Sequence, residues 1–354
     1  MHFAFTDEQA MIAETAKAFF AEQATTERTR AAMAASGIDE ALWQAFTAEL
    51  GLAGVAIPED QGGVGLGMIE LAILAEEAGR HVAALPLLAS VGLAIPAILA
   101  GGSAEQKARL LPRLAAGELV ASFAEATPDA AASDGALMGA ALYVPHGARA
   151  DLFVVAVSDG MFLVERDAPG ISIAALTSMD QTRPYARLDF DAVAAEGLTD
   201  PAAALAAAHA TGALAIAADA LGGAQACLDR TVDYAQERIQ FGRAIGSFQA
   251  VKHRLADMMV VVEQARSAVY WAACAIDEGS DEAAFAVHAA KAFACDTYMH
   301  CAGEMIQLHG GIGFTWEHDA HLYFKRARSN ANLLGTPDWH RERIATLTGL
   351  DEAA

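Results

Sequence analysis

The chain has 354 residues with 45 acidic and 23 basic side chains, a formal charge of −22. That field repels nucleic acid and anionic membranes, and no long basic run offsets it. Hydrophobic residues make up 54% and aromatics only 7%. Much of the apolar share is alanine, the best helix former, so composition favours a mostly helical protein of two or three domains.

The opening MHFAFTDEQ carries acid where a secretory leader would carry base, so no leader is expected. Thr6 and Gln9 fit a capping box ahead of a helix through Met11–Phe20. The phrase GLAGVAIPEDQGGVGLGMIELAILAEEAGR then gives a Pro/Gly-rich loop feeding a buried helix. No GK[ST] follows Gly62, Gly63, Gly65 and Gly67, so these glycines fit tight turns better than a phosphate loop. From Val82 to Ser103 there is no charge, a length that suggests a membrane span. Pro86, Ser90, Gly92 and Pro96 interrupt it, which instead predicts two buried helical pieces and no membrane. These elements form an expected helical domain over 1–117.

Residues 118–198 switch to a period of two. DLFVVAV and MFLVERD flank Ser158-Asp159-Gly160, a hairpin signature. In RLDFDA, Leu188, Phe190 and Ala192 alternate with charged residues, as in a strand with one wet face. Helices return over 199–354, at Ala202–Tyr234, Phe248–Asp277 and Glu282–Leu308, and their lengths predict a four-helix-type bundle. The expected fold is mainly α with a small β domain, in the order α–β–α. Cys227, Cys274, Cys295 and Cys301 form no C-x-x-C pair. They read as buried reduced thiols in a cytoplasmic protein, with no metal site.

The candidate chemistry lies in two stretches, YAQERIQFGRAIGSFQAVKHRLADM at 234–258 and QLHGGIGFTWEHDAHLYFKRA at 307–327. The planar guanidinium in R-x-x-F-G can pair bidentately with phosphate oxygens. The glycines of Q-x-x-G-G let backbone N–H groups approach a pyrophosphate. Singly, each is weak: Arg238 fits a surface ion pair, and Gly310-Gly311 fits a helix C-cap. Arg238, Arg243, Lys252 and Arg254 are a candidate basic patch, though their spacing alone fits ordinary solvated helix charge better.

Jointly, the two stretches resemble the FAD-gripping segments of the acyl-CoA dehydrogenase family. The resemblance covers essentially the whole chain, including P-E-x-x-G-G-x-G…E-E-x-G from Pro58 to Gly79. It implies that Arg238, Gln240 and Phe241 contact the FAD diphosphate and neighbouring atoms. Phe248 and Gln249 match the next flavin-contacting pair. Gln307, Gly310 and Gly311 match the stretch that receives the adenine-diphosphate end from the adjoining subunit, which implies at least a dimer and commonly a tetramer. Of the family's T-E-P-x-x-G-S-D loop only Glu125 corresponds. Its W-I-T-N-G strand appears as Tyr143-Val144-Pro145-His146-Gly147, where Tyr143 fits either a ring-stacking role or a core tyrosine. Thr336 falls in the family's Gly-Thr near the cofactor. The implied substrate is an acyl-CoA thioester and the implied electron acceptor an electron-transfer flavoprotein.

Desaturating a thioester needs a base beside the α-carbon. The family's glutamate before Gly-Thr is Leu334 here, and the alternative position on the helix before R-x-x-F-G is Gly212, followed by Ala213. Neither is an acid. The Leu334 N–H remains available to polarise a thioester carbonyl, as its counterpart does in the family. Asp219, two turns beyond Gly212, is a substitute base or a member of a buried polar network. Glu317, His318 and Asp319 suit a cap or interface role, His309 suits packing, and Asp338 suits capping, with His340 nearby. Three functions follow. In the first the chain is an acyl-CoA dehydrogenase-type flavoprotein acting on a CoA thioester, and its resemblance to heteromeric family members that act on bulky, steroid-like thioesters implies the base-lacking subunit of an α2β2 assembly. The others are a homo-oligomer with another base or with oxidase or monooxygenase chemistry, and a non-catalytic scaffold.

Overall fold

The computed structural model describes residues 5–133 and 135–350. The N-terminal helices are α1 (Asp7–Gln23), α2 (Thr26–Ala34), α3 (Glu40–Gln44), α4 (Met68–Arg80), α5 (Ile95–Gly101) and α6 (Ala104–Ala115). Eight strands follow: β1 (Ala121–Glu125), β2 (Ala131–Ser133), β3 (Ala136–Pro145), β4 (Leu152–Val157), β5 (Gly160–Glu165), β6 (Ile171–Leu176), β7 (Tyr185–Ala194) and β8 (Glu196–Gly197). Next come α7 (Pro201–Glu237), a small hairpin of β9 (Ile239–Gln240) and β10 (Arg243–Ala244), α8 (Gln249–Asp277), α9 (Ala283–His309), α10 (Ala320–Asn332) and α11 (Pro337–Leu347). The α–β–α order is as the sequence reads.

The chain divides into two compact units. One takes the chain up to Glu27, then Met68–Ala83 and everything from Ala213; the other takes Arg28–Gly67 and Ala84–Gly212. The second unit holds two four-stranded sheets, ordered β1-β4-β5-β8 and β2-β3-β7-β6. Alternate residues from both, among them Leu137, Val144, Phe153, Val155, Val164, Leu188 and Phe190, close a single apolar core. The predicted hairpin forms: Val157 pairs with Gly160, leaving Ser158-Asp159 as a two-residue loop. The alternation predicted for β7 fails at one point. Phe190 pairs with Gly139 but Val193 with Leu137, and Ala192 takes φ 52°. This bulge exposes Ala192 and buries Val193 in its place.

The glycine loop is tight-turned as expected. Gly62 and Gly65 have φ 86° and 73°, and a Cβ on Gly63 would lie 2.1 Å from the Ile57 carbonyl oxygen. Residues 87–94 form a buried π-helical run continuing into α5, and β1 packs on that run.

In the first unit, α1 begins with the capping box of Thr6 and Gln9 and packs on α4, which packs on α8; α9 packs against α8, α10 and α11. Helix α7 is long and apolar enough to cross a membrane, yet 72% of its most apolar window is buried within the protein. Alanine and glycine on α7 allow unusually close approach to its neighbours. A Cβ on Gly222 would sit 1.8 Å from the Glu76 carbonyl oxygen of α4, and one on Gly223 would sit 2.2 Å from the Tyr298 ring of α9. All four cysteines are free and buried. No cluster able to hold a metal occurs among the described residues.

Candidate functional site

Where α7 ends, the Arg238 N–H donates to the Tyr234 carbonyl at 2.8 Å, and the Arg238 carbonyl accepts from Ile245 at 2.8 Å. The chain then turns through β9 and β10, with Phe241 at φ 54° and Gly242 at φ 77°. Two successive left-handed residues make the tight hairpin turn whose twist suits the strands. A phenylalanine there is strained, and the residue is 91% exposed. It meets Phe248 only edge-on at 6.1 Å, while the Arg243 guanidinium lies 4.0 Å over Phe248. Gln240 and Gln249 are exposed. Helix α8 opens without a side-chain cap; the Val251 and Lys252 N–H groups donate to the Phe248 carbonyl, which leaves those of Gln249 and Ala250 open to an anion.

Of the four candidate cations, Arg254 is committed to Glu304 at 2.5 Å and Arg243 to the aromatic face. The exposed Arg238 side chain has no ion pair or hydrogen bond among the described residues. The second segment is tied to the first by His309, which stacks on Tyr234 with ring centroids 4.3 Å apart and donates from Nδ1 to the Met305 carbonyl. Gln307, Gly310 and Gly311 are exposed, and a Cβ on either glycine would meet no atom within 4 Å. Gly310 needs its positive φ of 60°. Gly311 has neither a positive φ nor a packing neighbour to require it. An exposed lone guanidinium, an uncapped helix start and open glycine backbone together fit a diphosphate-bearing flavin.

The loop that should present the family's acid is firmly built. Leu334 has φ 51° and Gly335 φ 99°. Buried Lys291 donates from Nζ to the Asn330 carbonyl at 2.8 Å, with the Gly335 carbonyl at 3.4 Å. His340 Nε2 donates to the Leu334 carbonyl at 3.0 Å. His340 Nδ1 must then accept from His288 Nδ1, 2.7 Å away, which fixes both tautomers. The cap of α11 is Thr336, whose hydroxyl accepts from the Trp339 N–H. This corrects the expectation for Asp338, which is exposed and pairs with Arg341 instead. The Leu334 N–H makes no hydrogen bond among the described residues, which leaves it available to an oxyanion.

Burial, with Lys291 and His288 beside it, pushes the His340 imidazole down to about 3. The unfolded chain therefore takes up a proton near pH 6.5 that the folded loop refuses. Stability from this group is full above pH 6.5 and is lost as pH falls toward 3. The slope is at most about 1.4 kcal/mol per pH unit. Urea midpoints at pH 7, 6 and 5 should fall less steeply in His340→Gln than in the wild type.

Asp219 is not presented to a ligand. It is 6% exposed. Its Oδ2 accepts from Arg326 at 2.8 Å and its Oδ1 from Asn330 at 2.6 Å, and Arg326 also reaches the Ala83 carbonyl. Both oxygens are taken by buried donors, the buried-network alternative of the sequence reading, and Asp219 anchors α7 to α10. Asp319 accepts from Arg230 and Thr26, and the His318 ring accepts from the Ala320 N–H at the start of α10. Tyr143 is 67% exposed at φ 56°, so the core alternative falls away.

In the second unit Glu125 ends β1 and meets His209 of α7, Nε2 to Oε1 at 2.5 Å. His209 gave no motif signal; only its spacing, one turn before Gly212, could have drawn attention to it. A cavity of about 700 Å³ also opens beside Glu76, Glu77, Arg266 and Tyr270. None of its lining residues comes from the two candidate flavin segments.

The acyl-CoA dehydrogenase N-terminal domain family matches residues 6–118, and the acyl-CoA dehydrogenase C-terminal domain family matches 203–347. The chain belongs to the acyl-CoA dehydrogenase family. It is 39% identical over 332 residues to the acyl-CoA dehydrogenase IpdE2 of Mycobacterium tuberculosis, covering 94% of each chain. Among solved structures it resembles the Tcur3481-Tcur3483 steroid ACAD G363A variant. That likeness has TM-score 0.89 and 34% identity over 98% of this chain and 99% of the other. It also resembles the Mycobacterium tuberculosis ChsE4-ChsE5 complex, with TM-score 0.90 and 27% identity over 99% of both chains. Family membership makes the chain a flavin-dependent oxidoreductase acting on a CH–CH group of an acyl-CoA.

Proposed function

We propose that this chain binds FAD and contributes to desaturating a bulky, steroid-like acyl-CoA as one subunit of an α2β2 assembly. The second subunit is another family member, one that carries the usual acid. The observation that carries the reading is the contrast within the chain. The segments suited to hold FAD keep their residues and their open geometry, while Leu334 and Gly212 occupy both positions for the acid. Two similar solved structures are named for pairs of proteins, one of them a steroid acyl-CoA dehydrogenase.

In this reading Arg238 and the start of α8 hold diphosphate oxygens, Phe241 and Phe248 pack beside the cofactor, and Gly310-Gly311 admits the adenine-diphosphate end of the flavin held by the adjoining subunit. Bound flavin would supply the acceptor for the hydride leaving the β-carbon. The Leu334 N–H polarises the thioester carbonyl. Electrons then pass to an electron-transfer flavoprotein. Free buried thiols suit a reducing cytoplasm.

The test is the visible absorption spectrum of the chain, purified alone and with a co-expressed second family member. The α2β2 reading expects a stoichiometric flavin spectrum only in the co-purified pair, and Arg238→Ala should remove it. Full flavin and turnover in the chain alone would overturn the assembly.

A further inference from the structure

We infer that the cavity between α1, α4 and α8 binds a small organic cation, a primary ammonium ion on an apolar body, through Glu77. All three helices belong to the same compact unit. The volume of about 700 Å³ is that of a small-molecule site. No residue is shared with the flavin segments, so the inference stands apart from the acyl-CoA reading.

The charges that line the cavity cancel, except one. Buried Glu76 is fully engaged: its Oε1 pairs with Arg266, and its Oε2 accepts from the Tyr270 hydroxyl at 2.7 Å. Arg266 is itself held further by Gln225 at 2.8 Å. Glu14 and Lys17, exposed and one turn apart on α1, carry opposite charges and offset each other. Glu77 has no counterpart. Its Oε2 is enclosed by protein and accepts no hydrogen bond, and its carboxyl forms no ion pair among the described residues. Burial pushes this carboxyl up, and Glu76 adds to the effect, although Arg80, Lys17 and Arg266 draw it down. Buried carboxylate oxygens in folded proteins are almost always given a donor, so one without marks a missing partner. An ammonium group is a donor that also cancels the charge. Phe5 and Tyr270, edge to face with centroids 5.0 Å apart, join Ala13 and Ile73 in an apolar wall beside it. That wall suits an aromatic or branched hydrocarbon body. The chain's charge of −22 also draws cations to it and repels anions.

The test is titration calorimetry of the full chain, in its flavin-loaded assembly, with 2-phenylethylamine and 3-methylbutylamine. The alcohol 2-phenylethanol and the acid 3-phenylpropionate serve as neutral and anionic counterparts. At least one amine should bind, about tenfold or more tighter than the alcohol, because its hydrogen bond to Glu77 is charge-assisted. Glu77→Gln keeps the shape of the side chain and should erase that preference. Lys17→Met removes a competing cation and should tighten amine binding. Ser267→Phe, which fills the cavity from α8, should abolish binding of amine and alcohol alike. Thermal unfolding without ligand shows which variants are folded, and Glu77→Gln decides if the larger side chain is not tolerated. Tighter binding of the propionate, lost in Lys17→Met, would make this an anion site and overturn the inference. Amine binding unchanged by Glu77→Gln overturns it as well. So does the absence of binding by both amines at millimolar concentration, which would leave water as the partner of Glu77.

Discussion

Gly222→Ala should destabilise the protein by about 3 kcal/mol or more, the upper end of what overpacking costs. The new methyl would lie 1.8 Å from the Glu76 carbonyl oxygen and 2.8 Å from the Arg80 amide nitrogen. Those atoms are helical backbone of α4 and cannot rotate aside as a flexible side chain would. The two helices must separate, and the second close approach fails with them: a Cβ on Gly79 would already lie 2.1 Å from the Asp219 carbonyl oxygen. Gly303→Ala in α9 is the control, because its Cβ meets no atom within 4 Å. It should be neutral or stabilise by up to about 1 kcal/mol from helix propensity alone. The urea midpoint should fall in Gly222→Ala and hold or rise in Gly303→Ala. An unshifted Gly222→Ala would mean that α4 and α7 do not cross this closely.

Asp219→Ala should cost about 3–5 kcal/mol, as removing one partner of a buried ion pair does. It leaves the 2%-exposed Arg326 guanidinium and the fully buried Asn330 amide facing an empty site. The loss arises mainly from the stranded charge, so replacing the group together tests the cause. Asp219→Leu with Arg326→Met and Asn330→Leu should recover most of the stability. The same variants separate an anchor from a base. With Asp219 an anchor, Asp219→Asn loses stability while the folded fraction keeps its rate of α-proton removal. A rate loss of about 100-fold without a stability change would make it the base after all.

The buried network shows where sequence reading ends. Asp219, Arg326 and Asn330 are ordinary polar letters until folding brings residues 107 and 111 apart in the chain into contact. Cap identity is similarly hidden. Thr336 and Asp338 are both good capping residues, and only the path of the chain into α11 selects the threonine. In β7 the period of two was legible through Phe190 and then broken by the Ala192 bulge. A bulge depends on the partner strand, which local alternation does not contain. Tyr143 could be core or exposed by composition, and its left-handed backbone put it outside.

By itself the sequence determined the α–β–α order and the family. Each of these depends on local propensity or on motif spacing, which a linear string carries. Tertiary structure decided that Asp219 is held by buried donors, that Gly222 is a helix crossing and that His209 meets Glu125. Each of those is a contact between distant residues, set by how helices and strands pack rather than by any neighbour in the chain.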